Sequence, residues 1–506
     1  MKKGDKGGFK SFLAELPDYF VKLHERGPGV CYLEEKMKSC LGVIIGNRGV
    51  FPGYLSEGAR EDIFSVFKKL DIKPVIIPMD ETKFGAIENL EEAKKCAELF
   101  RKNKDKIEGI LVTLPNFGDE RAIADTIRMS ELNVPVLVQA YPDELDKLSI
   151  GKRRDSFCGK LSVCSNLDQY GVSFSLTKLH TVSPTSDKFI ADLKWFLGVC
   201  RVIKGLRGAR IGSVGARTTP FKTVRFSEKL LEASGISVET VDLSEIIGKA
   251  DNLKDSDDLV QSKLKAINSY VSTSDVPSSA IVKMAKFAIA LDDWIKANDI
   301  KASSLRCWPE LQEYSDFMPC SMMSMLSESL SPCACEVDVM GAIAMYALQL
   351  ASGIPSGLFD WNNNYEDDPD KMILFHCSNY PKSMLEDPKM SYNDIDANVR
   401  GTVEKSYGTC VGKLRKSPMT YARIATNDLA GSIVAYVGEG ELTDDPLDTF
   451  GGVGVAKIDR LQDLLKFICK NGFEHHVAIS QSKVSDILYE AMETYLGWNV
   501  YYHSKC

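Results

Sequence analysis

The chain has 506 residues, of which 44% are hydrophobic and 26% charged, so it can bury a sizeable core, and we expect roughly two to four domains. The formal net charge of −8 argues against a surface built to bind nucleic acid. No stretch approaches twenty uninterrupted apolar residues, and the start of the chain lacks the apolar core of a signal peptide. The sequence therefore predicts a cytoplasmic protein without a membrane segment.

The first part of the chain alternates apolar runs with amphipathic stretches. CLGVIIG, IKPVIIP, GILVTLP and VPVLVQA are predicted strands, and SEGAREDIFSVFKKL, NLEEAKKCAELFRKN and ERAIADTIRMSE are the helices predicted between them. This β-α-β-α-β-α-β order is typical of a parallel sheet with helices on both faces. Residues 1–180 are therefore predicted to form a doubly wound N-terminal α/β domain.

Two further regions follow. After the helix DKFIADLKWFLGVCRVIKG, a strand, helix and strand recur from ARIGSV, and long helical stretches and the strand ASSLRC come next, which predicts a second doubly wound parallel-sheet α/β domain over residues 181–355. KMILFHC, GTCVGKL, MTYARIAT, GSIVAYVGEGEL, GVGVAKI and HHVAIS are short runs separated by Gly, Asp and Asn. They predict a mostly antiparallel β domain over residues 356–506.

Several motifs of well-known sites are missing. The segment GSVGARTTPFK follows a strand but lacks the Gly-Lys-Ser/Thr of a phosphate loop, and the chain has no Gly-x-Ser-x-Gly. Its fourteen cysteines include no CxxC pair. Their spacing does not match a structural zinc site, so we expect buried, reduced thiols.

Two carboxylates flank one predicted helix. The segment 339–351 has a strong helical pattern, with Gly353 where a C-terminal cap belongs, and Glu336 and Asp338 stand at or just before its first turn. The chain then returns as a short strand, GLFD, which is predicted to end at Asp360. A helix followed by a reversed strand brings the helix start and the strand end to one edge, so Glu336 and Asp360 are predicted to converge.

That edge, at the carboxyl ends of the strands, is where open α/β sheets bind ligands. Two carboxylates there repel each other unless they share a proton or a cation, and a divalent metal ion would also bind an imidazole from His475 or His476. Neighbouring side chains on a strand point to opposite faces, so we expect one histidine to be the ligand and the other to form a hydrogen bond nearby or to pack. Each residue alone has an ordinary alternative: Glu336 as a helix-dipole partner, Asp360 as a turn residue, and the histidines as structural groups.

Three of these segments resemble the L-fucose isomerase and L-arabinose isomerase superfamily, and most closely the fucose isomerase-like proteins. CEVDVMGAIAMYAL resembles the stretch in which a Glu precedes an apolar, small-residue helix, and GLFDWNNNY resembles the following stretch with its Asp. GFEHHVAI resembles the C-terminal histidine segment. The order of two α/β domains and a mostly β domain also agrees, so the resemblance covers most of the chain.

The resemblance implies a manganese-type divalent ion held by Glu336, Asp360 and one of the paired histidines. It also implies aldose-ketose isomerisation through an ene-diol, with Glu336 and Asp360 as the acid/base pair and the metal stabilising the negative charge on the substrate oxygens. Family members form trimers or hexamers with sites near subunit contacts. The chain is shorter than well-known fucose isomerases and its loops differ, so the sugar, neutral or anionic, stays open.

Four other residues are candidates for substrate contact or for the metal. Arg48, after the first strand, could bind a sugar hydroxyl or an anionic group, and Trp308 could stack on a sugar. His376 could contact the sugar or support the metal ligands, and Glu310 could compete with Glu336 for the metal. The alternatives are a salt-bridged arginine, a core tryptophan and a structural histidine.

Other functions are also open. A non-catalytic sugar binder of the periplasmic or repressor type would share the two α/β domains, but we find no signal peptide and no basic helix-turn-helix before the first strand. Such a binder also leaves the third domain and the carboxylate and histidine set unexplained. A metal-dependent epimerase or lyase would use the same proton abstraction, so only the product separates these enzymes from an isomerase.

Overall fold

The computed structural model describes residues 39–503, within which the strands form three separate sheets. Our expectation that neither a signal peptide nor a helix-turn-helix precedes the first strand concerns residues outside this range. Among the helices that are described, none combines the length and the apolar character needed to cross a bilayer.

The first sheet is parallel and lies between helices. Its strands are β1 (Cys40–Ile45), β2 (Lys73–Ile76), β3 (Gly109–Leu114), β4 (Val136–Ala140) and β5 (Ser175–Leu176), paired in the order β2-β1-β3-β4-β5. Its helices are α1 (Tyr54–Lys69), α2 (Leu90–Lys102), α3 (Glu120–Ser130) and α4 (Ser156–Gln169). Every residue of β1, β3 and β4 is buried, as expected for strands covered on both faces. The side chains of Asn89 and Asp119 cap α2 and α3.

The second sheet repeats this parallel arrangement after the linking helix α5 (Asp187–Leu206). Its strands are β6 (Arg210–Val214), β7 (Ser237–Val241), β8 (Ala302–Leu305) and β9 (Cys333–Cys335), paired in the order β7-β6-β8-β9. Its helices are α6 (Glu228–Ala233), α7 (Leu243–Asp251), α8 (Asp258–Tyr270), α9 (Ser278–Ala297), α10 (Glu310–Tyr314), α11 (Cys320–Glu328) and α12 (Val339–Ser352). Gly353 ends α12 with a φ of 78°, as predicted for its C-terminal cap.

The third sheet is mixed and mostly antiparallel. Its strands are β10 (Ser356–Asn364), β11 (Lys371–His376), β12 (Leu385–Tyr392), β13 (Tyr407–Leu414), β14 (Ser417–Asn427), β15 (Ser432–Thr443), β16 (Gly452–Lys457), β17 (His476–Ser480) and β18 (Asn499–Tyr502). Because β15 also pairs with β16, the strands β16-β11-β10-β17-β14-β15 close into a ring. The β13–β16 and β15–β18 pairs are parallel. The predicted fold class, two parallel α/β units followed by a mostly antiparallel sheet, is confirmed.

Helices also accompany the third sheet. They are α13 (Asp394–Arg400), α14 (Leu461–Lys470) and α15 (Ser485–Tyr489), and a π-helical turn (Glu490–Tyr495) follows α15. At the end of this turn the hydroxyl of Tyr495 donates to the carbonyl of Val136 in β4 at 3.1 Å and lies 2.7 Å from the hydroxyl of Ser175 in β5. The C-terminal part of the chain therefore returns to the first sheet.

Helix α12 joins the second sheet to the ring. Almost all of its side chains are buried, and it packs against β8 on one side and against β10, β14 and β17 on the other. Leu358 of β10, Ala422 of β14 and Ala478 of β17 share one buried apolar cluster with α12. The start of α12 therefore lies where the two sheets meet.

One strand differs from its prediction. We predicted that the strand after α12 ends at Asp360, but β10 continues to Asn364 because it pairs with β11 as far as Met372, through a bulge between Trp361 and Asn363. Asp360 therefore lies within a strand. The predicted domain boundaries at residues 180 and 355 fall between the sheets and stay a prediction.

Candidate active site

Glu336 sits at an unusual backbone position. It directly follows β9, and both Glu336 and Val337 have left-handed backbone conformations, with φ angles of 58° and 59°. Such conformations cost a non-glycine residue about 1–3 kcal/mol each and concentrate at functional sites. The next residue, Asp338, is the N-cap of α12 and accepts a hydrogen bond from the amide of Gly341 at 2.8 Å. A side chain at Gly341 would collide with this carboxylate, because its Cβ would lie 2.6 Å from Asp338 Oδ2.

Asp360 and His476 face each other across neighbouring strands of the ring. They are direct partners in the β10–β17 pair. His476 Nε2 lies 3.1 Å from Glu336 Oε2 and 3.5 Å from Asp360 Oδ1. All three atoms are buried, yet none of them forms a well-directed hydrogen bond. Two carboxylate oxygens, one from Glu336 after β9 and one from Asp360 in β10, therefore converge on one imidazole nitrogen of His476.

This convergence fits a divalent metal ion. A buried polar atom without a partner costs about 1–3 kcal/mol, and a metal ion would satisfy such atoms. Two sets of possible metal ligands share His476: one is Glu336, His376 and His476, and the other is Asp360, His475 and His476. Adjacent ligands of an octahedral ion with bonds of ~2.1 Å lie ~3 Å apart, close to the separation of His476 Nε2 from Glu336 Oε2. Two carboxylates and an imidazole are also donors that such ions accept.

A buried chain of charged groups holds His476 in place. Its Nδ1 lies 2.8 Å from Asp338 Oδ2, and Arg423 donates to both oxygens of Asp338, at 2.5 and 3.0 Å. Arg423 also donates from Nε to Glu474 Oε2 at 3.0 Å. The side chains of Arg423 and Asp338 are completely buried, so the group acts as one fixed unit. Groups of this kind orient the histidine that binds a metal.

The same contacts set the charges at the site. Burial opposes ionisation of Asp338, but the Arg423 guanidinium and His476 hold its pKa well below the usual range. Burial likewise favours a neutral His476, but its contacts with Asp338 and Glu336 raise its pKa to about 9. Burial would raise the pKa of Glu336, yet the neighbouring His476 and His376 keep it below its ordinary value. For Asp360 burial prevails and the pKa is raised.

His475 does not point away from the site. Its Nε2 is 3.8 Å from Asp360 Oδ1, and its ring centroid is 4.5 Å from that of His476. The prediction that the two side chains lie on opposite faces was wrong, because β17 begins only at His476 and the alternation of a strand does not extend to His475. The His475 side chain is 44% exposed, against 1% for His476. Burial and the neighbouring His476 lower the pKa of His475.

Two of the predicted substrate contacts lie at the centre. His376 is buried at the end of β11, with Nε2 3.8 Å from Glu336 Oε2. The indole of Trp308 donates to Glu336 Oε1 at 3.2 Å. Phe221, which the sequence analysis did not single out, packs edge-on against Trp308 at 5.6 Å and lies 6.0 Å from the ring of His475.

Two other candidates contact different residues. Arg48 forms an ion pair with Glu120 and lies over the ring of Phe117 at 4.2 Å, so its described contacts are within the first α/β unit. Glu310 is paired with Arg306 and belongs to none of the possible metal-binding groups found among residues 39–503. Within one chain, neither Arg48 nor Glu310 therefore lies at the centre around Glu336, Asp360 and His476.

Comparison with known protein families supports this interpretation. Residues 42–207 match the N-terminal domain of the fucose/sulfoquinovose isomerase family, and residues 374–504 match the C-terminal domain of L-fucose isomerase. The two matches together cover more than half of the chain. The chain belongs to the fucose isomerase-like family.

Three curated relatives of this fucose isomerase-like chain are named sulfoquinovose isomerase. A sulfoquinovose isomerase of Clostridium sp. (strain MSTE9) is 28% identical over 198 residues, which cover 38% of this chain and 43% of the relative. A sulfoquinovose isomerase of Priestia aryabhattai is 23% identical over 296 residues, covering 58% and 64%. One from Alkalicoccus urumqiensis is 22% identical over 291 residues, covering 57% and 63%. This chain thus matches less than two thirds of the length of each relative.

The sequence analysis of this fucose isomerase-like chain missed several residues of the site. Arg423 stands inside the apolar run MTYARIAT, and Glu474 directly precedes the histidines. An arginine in a buried strand must have an acidic partner, so this position was a usable signal. Asp338 was noted only as a residue near the helix start, and nothing in the sequence indicated that it contacts His476. Phe221 lies in a loop whose position relative to the histidines depends on the tertiary fold.

Proposed function

We propose that this chain is a divalent-metal-dependent aldose-ketose isomerase, an intramolecular oxidoreductase of sugars. The observation that carries the proposal is the approach of Glu336 Oε2 and Asp360 Oδ1 to His476 Nε2, three buried atoms without hydrogen-bond partners. In this proposal these three residues bind a manganese-type ion. His475 is the exposed neighbour, near enough to contact the substrate or a further ligand.

The proposed mechanism assigns proton transfer to the two carboxylates. One of Glu336 and Asp360 takes the proton from the carbon next to the carbonyl. The other, in its protonated form, returns a proton to the neighbouring carbon. Both carboxylates lie within 3.5 Å of the same ring nitrogen, so they can address adjacent carbons of one substrate. The bound ion supplies stabilisation of the negative charge that develops on the two substrate oxygens. Trp308 holds the second oxygen of Glu336 and so fixes its direction.

We propose a sugar with an anionic substituent, of the sulfoquinovose type, as the substrate. The names of the relatives suggest this class. The loop between β6 and α6 also carries three cationic residues, Arg217, Lys222 and Arg225, and its Phe221 reaches the histidine pair. Neutral aldoses such as L-fucose and L-arabinose are the alternative within the family.

The remaining expectations belong to the same proposal. Trp308 and His376 would contact the substrate from within the chain, whereas Arg48 would do so from a neighbouring subunit. We therefore propose a cytoplasmic homo-oligomer, a trimer or hexamer, whose sites lie near subunit contacts. No nucleic-acid or membrane partner is part of this proposal.

The test is a ketose-release assay over sulfoquinovose, L-fucose and L-arabinose, with and without Mn²⁺, on protein whose metal content has been measured. We expect Mn²⁺-dependent turnover that Glu336→Gln abolishes. Glu313→Gln is the matched control, because Glu313 is an exposed carboxylate paired with Arg400, and we expect it to keep full activity.

Two outcomes would contradict the proposal. Stoichiometric sugar binding without metal-dependent turnover, unaffected by Glu336→Gln, would identify a sugar-binding protein. A metal-dependent product other than the ketose would identify an epimerase or a lyase, which shares the proton abstraction.

A further inference from the structure

A second cluster of possible metal ligands adjoins the carboxylate centre. Cys335 directly precedes Glu336, and Cys377 directly follows His376. One ligand atom from each of Cys335, His376 and Cys377 lies within 4.8 Å of the other two. Cys320 contacts Cys377 as a further thiol. No cysteine of the described region is in a disulfide, so these thiols are free to bind a ligand.

The donor atoms distinguish this cluster from the centre around Glu336. Two sulfurs and one imidazole nitrogen are soft donors, which favour Zn²⁺, Cd²⁺ or Cu⁺, whereas carboxylates favour Mn²⁺ and Mg²⁺. The distance also fits, because Cys377 Sγ is 3.3 Å from His376 Nδ1. Two ligands of a tetrahedral zinc, with bonds of ~2.3 Å to sulfur and ~2.0 Å to nitrogen, lie ~3.5 Å apart.

The two ring nitrogens of His376 contact different groups. Its Nδ1 accepts a hydrogen bond from the backbone amide of Cys377 at 2.9 Å, whereas Nε2 lies 3.8 Å from Glu336 Oε2. A metal ion at Nδ1 would replace this amide as the partner of the nitrogen lone pair. The two nitrogens thus address two different groups, the thiols and the carboxylate centre.

The thiols of the cluster have no role in the proposed reaction. Cys335 is fully buried, and Cys377 is of intermediate exposure. Neither thiol has a role in the proposed proton transfer, which needs only the carboxylates and the metal that they hold. The cysteines therefore have no assigned task in the isomerase reaction.

We propose that Cys335, His376 and Cys377 form a second metal site, which binds one thiophilic divalent ion such as Zn²⁺. Binding forms two metal-sulfur bonds and one metal-nitrogen bond, and the protons of the two thiols pass to solvent. Cys335 is bonded to Glu336, and His376 contacts Glu336 through its other nitrogen. An ion in this site would therefore be linked to Glu336 in two ways, through the peptide bond from Cys335 and through the ring of His376.

The site is tested with Cd²⁺, whose bonds to thiolates absorb in the ultraviolet. The full chain is first saturated with Mn²⁺, so that the carboxylate centre is occupied, and Cd²⁺ is then titrated. We expect the absorption to saturate at one Cd²⁺ per chain and to be lost in Cys377→Ser. The control is Cys469→Ser, since Cys469 is an exposed cysteine on α14, and it should titrate like the wild type. An unchanged titration in Cys377→Ser, or loss of the signal in Cys469→Ser, would overturn the proposal.

A second measurement avoids the risk that a variant fails to fold. In wild-type protein, iodoacetamide alkylation is mapped by mass spectrometry with and without one equivalent of Cd²⁺. We expect Cd²⁺ to protect Cys377 at least tenfold while exposed Cys158 reacts at the same rate. Equal alkylation of Cys377 in both samples would exclude the site. Neither readout depends on turnover, so the outcome is independent of the isomerase assay.

Discussion

His476 differs from its neighbour in what each ring nitrogen contacts. Asp338 fixes Nδ1, and Arg423 fixes Asp338, so the ring has one orientation in which Nε2 faces Glu336 and Asp360. A fully buried arginine requires such paired charges, because removal of one partner of a buried ion pair costs about 3–5 kcal/mol. Asp338 and Arg423 therefore hold the imidazole of His476 with its Nε2 towards Glu336 and Asp360.

This asymmetry predicts different effects of two adjacent substitutions. His476→Gln should weaken Mn²⁺ binding by about 100-fold or more, because loss of groups that merely support a ligand already costs 10–100-fold. His475→Gln should weaken it by less than about 10-fold, because His475 Nε2 is 3.8 Å from Asp360 and its side chain is half exposed. Equilibrium dialysis followed by metal analysis measures both. Equal losses in the two variants would show that both histidines are ligands.

Lys160 is a buried cation, and the ion pairs among the described residues include none between Lys160 and a carboxylate. It is 1% exposed, and its Nζ donates to Thr177 Oγ1 at 2.8 Å and to the carbonyl of His180 at 2.9 Å. Burial lowers the pKa of Lys160 from 10.5 to about 8. At about 1.4 kcal/mol for each pKa unit, the charged form costs the folded state ~3 kcal/mol.

This cost has a definite pH dependence. Between about pH 8 and pH 10.5 Lys160 is protonated in the unfolded chain but neutral in the folded chain. The loss of folding stability caused by the buried charge is therefore complete below pH 8 and disappears as the pH rises through that window. Lys160→Met should therefore gain stability relative to wild type at pH 7, and lose that advantage by pH 10. Urea unfolding at both pH values measures the difference. Lys188→Met, at an exposed lysine, should show no such change.

At the scale of elements, period and turn signals predicted most long strands and helices and also the four-residue strands β2 and β8, but not β9 or β12. Strand β9 has only three residues, CAC, too few for any period to be recognised, yet it places Glu336. Strand β12 contains Pro388 and charged residues and lies at the edge of the sheet, where proline is tolerated; it pairs with β13 and forms one bridge with Ser272. Such elements are defined by their pairing partners and not by their own sequences.

The candidate site was predictable to a similar extent. The convergence of Glu336 and Asp360 followed from a helix and a reversed strand, which are local features. The orientation of the two histidines was not predictable, because it depends on the residue at which β17 begins. The contact between Arg423 and Asp338 joins segments 85 positions apart and required the closed ring.

The loop between β6 and α6 leads to a prediction about substrate choice. Thr218 Oγ1 contacts the carbonyl of Trp308 at 3.5 Å, and Phe221 contacts the histidine pair, so the loop lies beside the centre. Arg217 donates only to the backbone carbonyls of Thr218 and Thr219, at 3.0 and 3.3 Å, and forms no ion pair among those described. Its charge is therefore available for an anionic substituent.

If the substrate is a sulfonated sugar, Arg217→Gln should raise its KM by about 10–100-fold, since a hydrogen bond to a charged group contributes about 1.5–3 kcal/mol. Turnover of a neutral aldose should change little, because the lost contact is to the anionic group. Lys188→Gln is the control, because Lys188 is exposed and lies outside this loop, and it should leave both KM values unchanged. A uniform loss on both sugars in Arg217→Gln would indicate a structural role for Arg217.

At the scale of the whole molecule, the proposed metal connects two of the sheets. Glu336 follows the second sheet, whereas Asp360 and His476 belong to the ring, so a bound ion would hold α12 and the ring together. Mn²⁺ at 100 times its Kd should stabilise the folded chain by ~2.7 kcal/mol. Thermal unfolding should therefore show a higher Tm with Mn²⁺ in wild type and no shift in His476→Gln. A shift of equal size in that variant would place the stabilising ion elsewhere.

The position of β17 in the ring determines when the site forms during synthesis. This strand lies between β10 and β14, although the ribosome makes it after both of them and after β15 and β16. A nascent chain that stops before residue 476 has an open gap between β10 and β14 and lacks His476. The ring and the candidate site are therefore completed by the same strand, after β10, β14, β15 and β16 have been made.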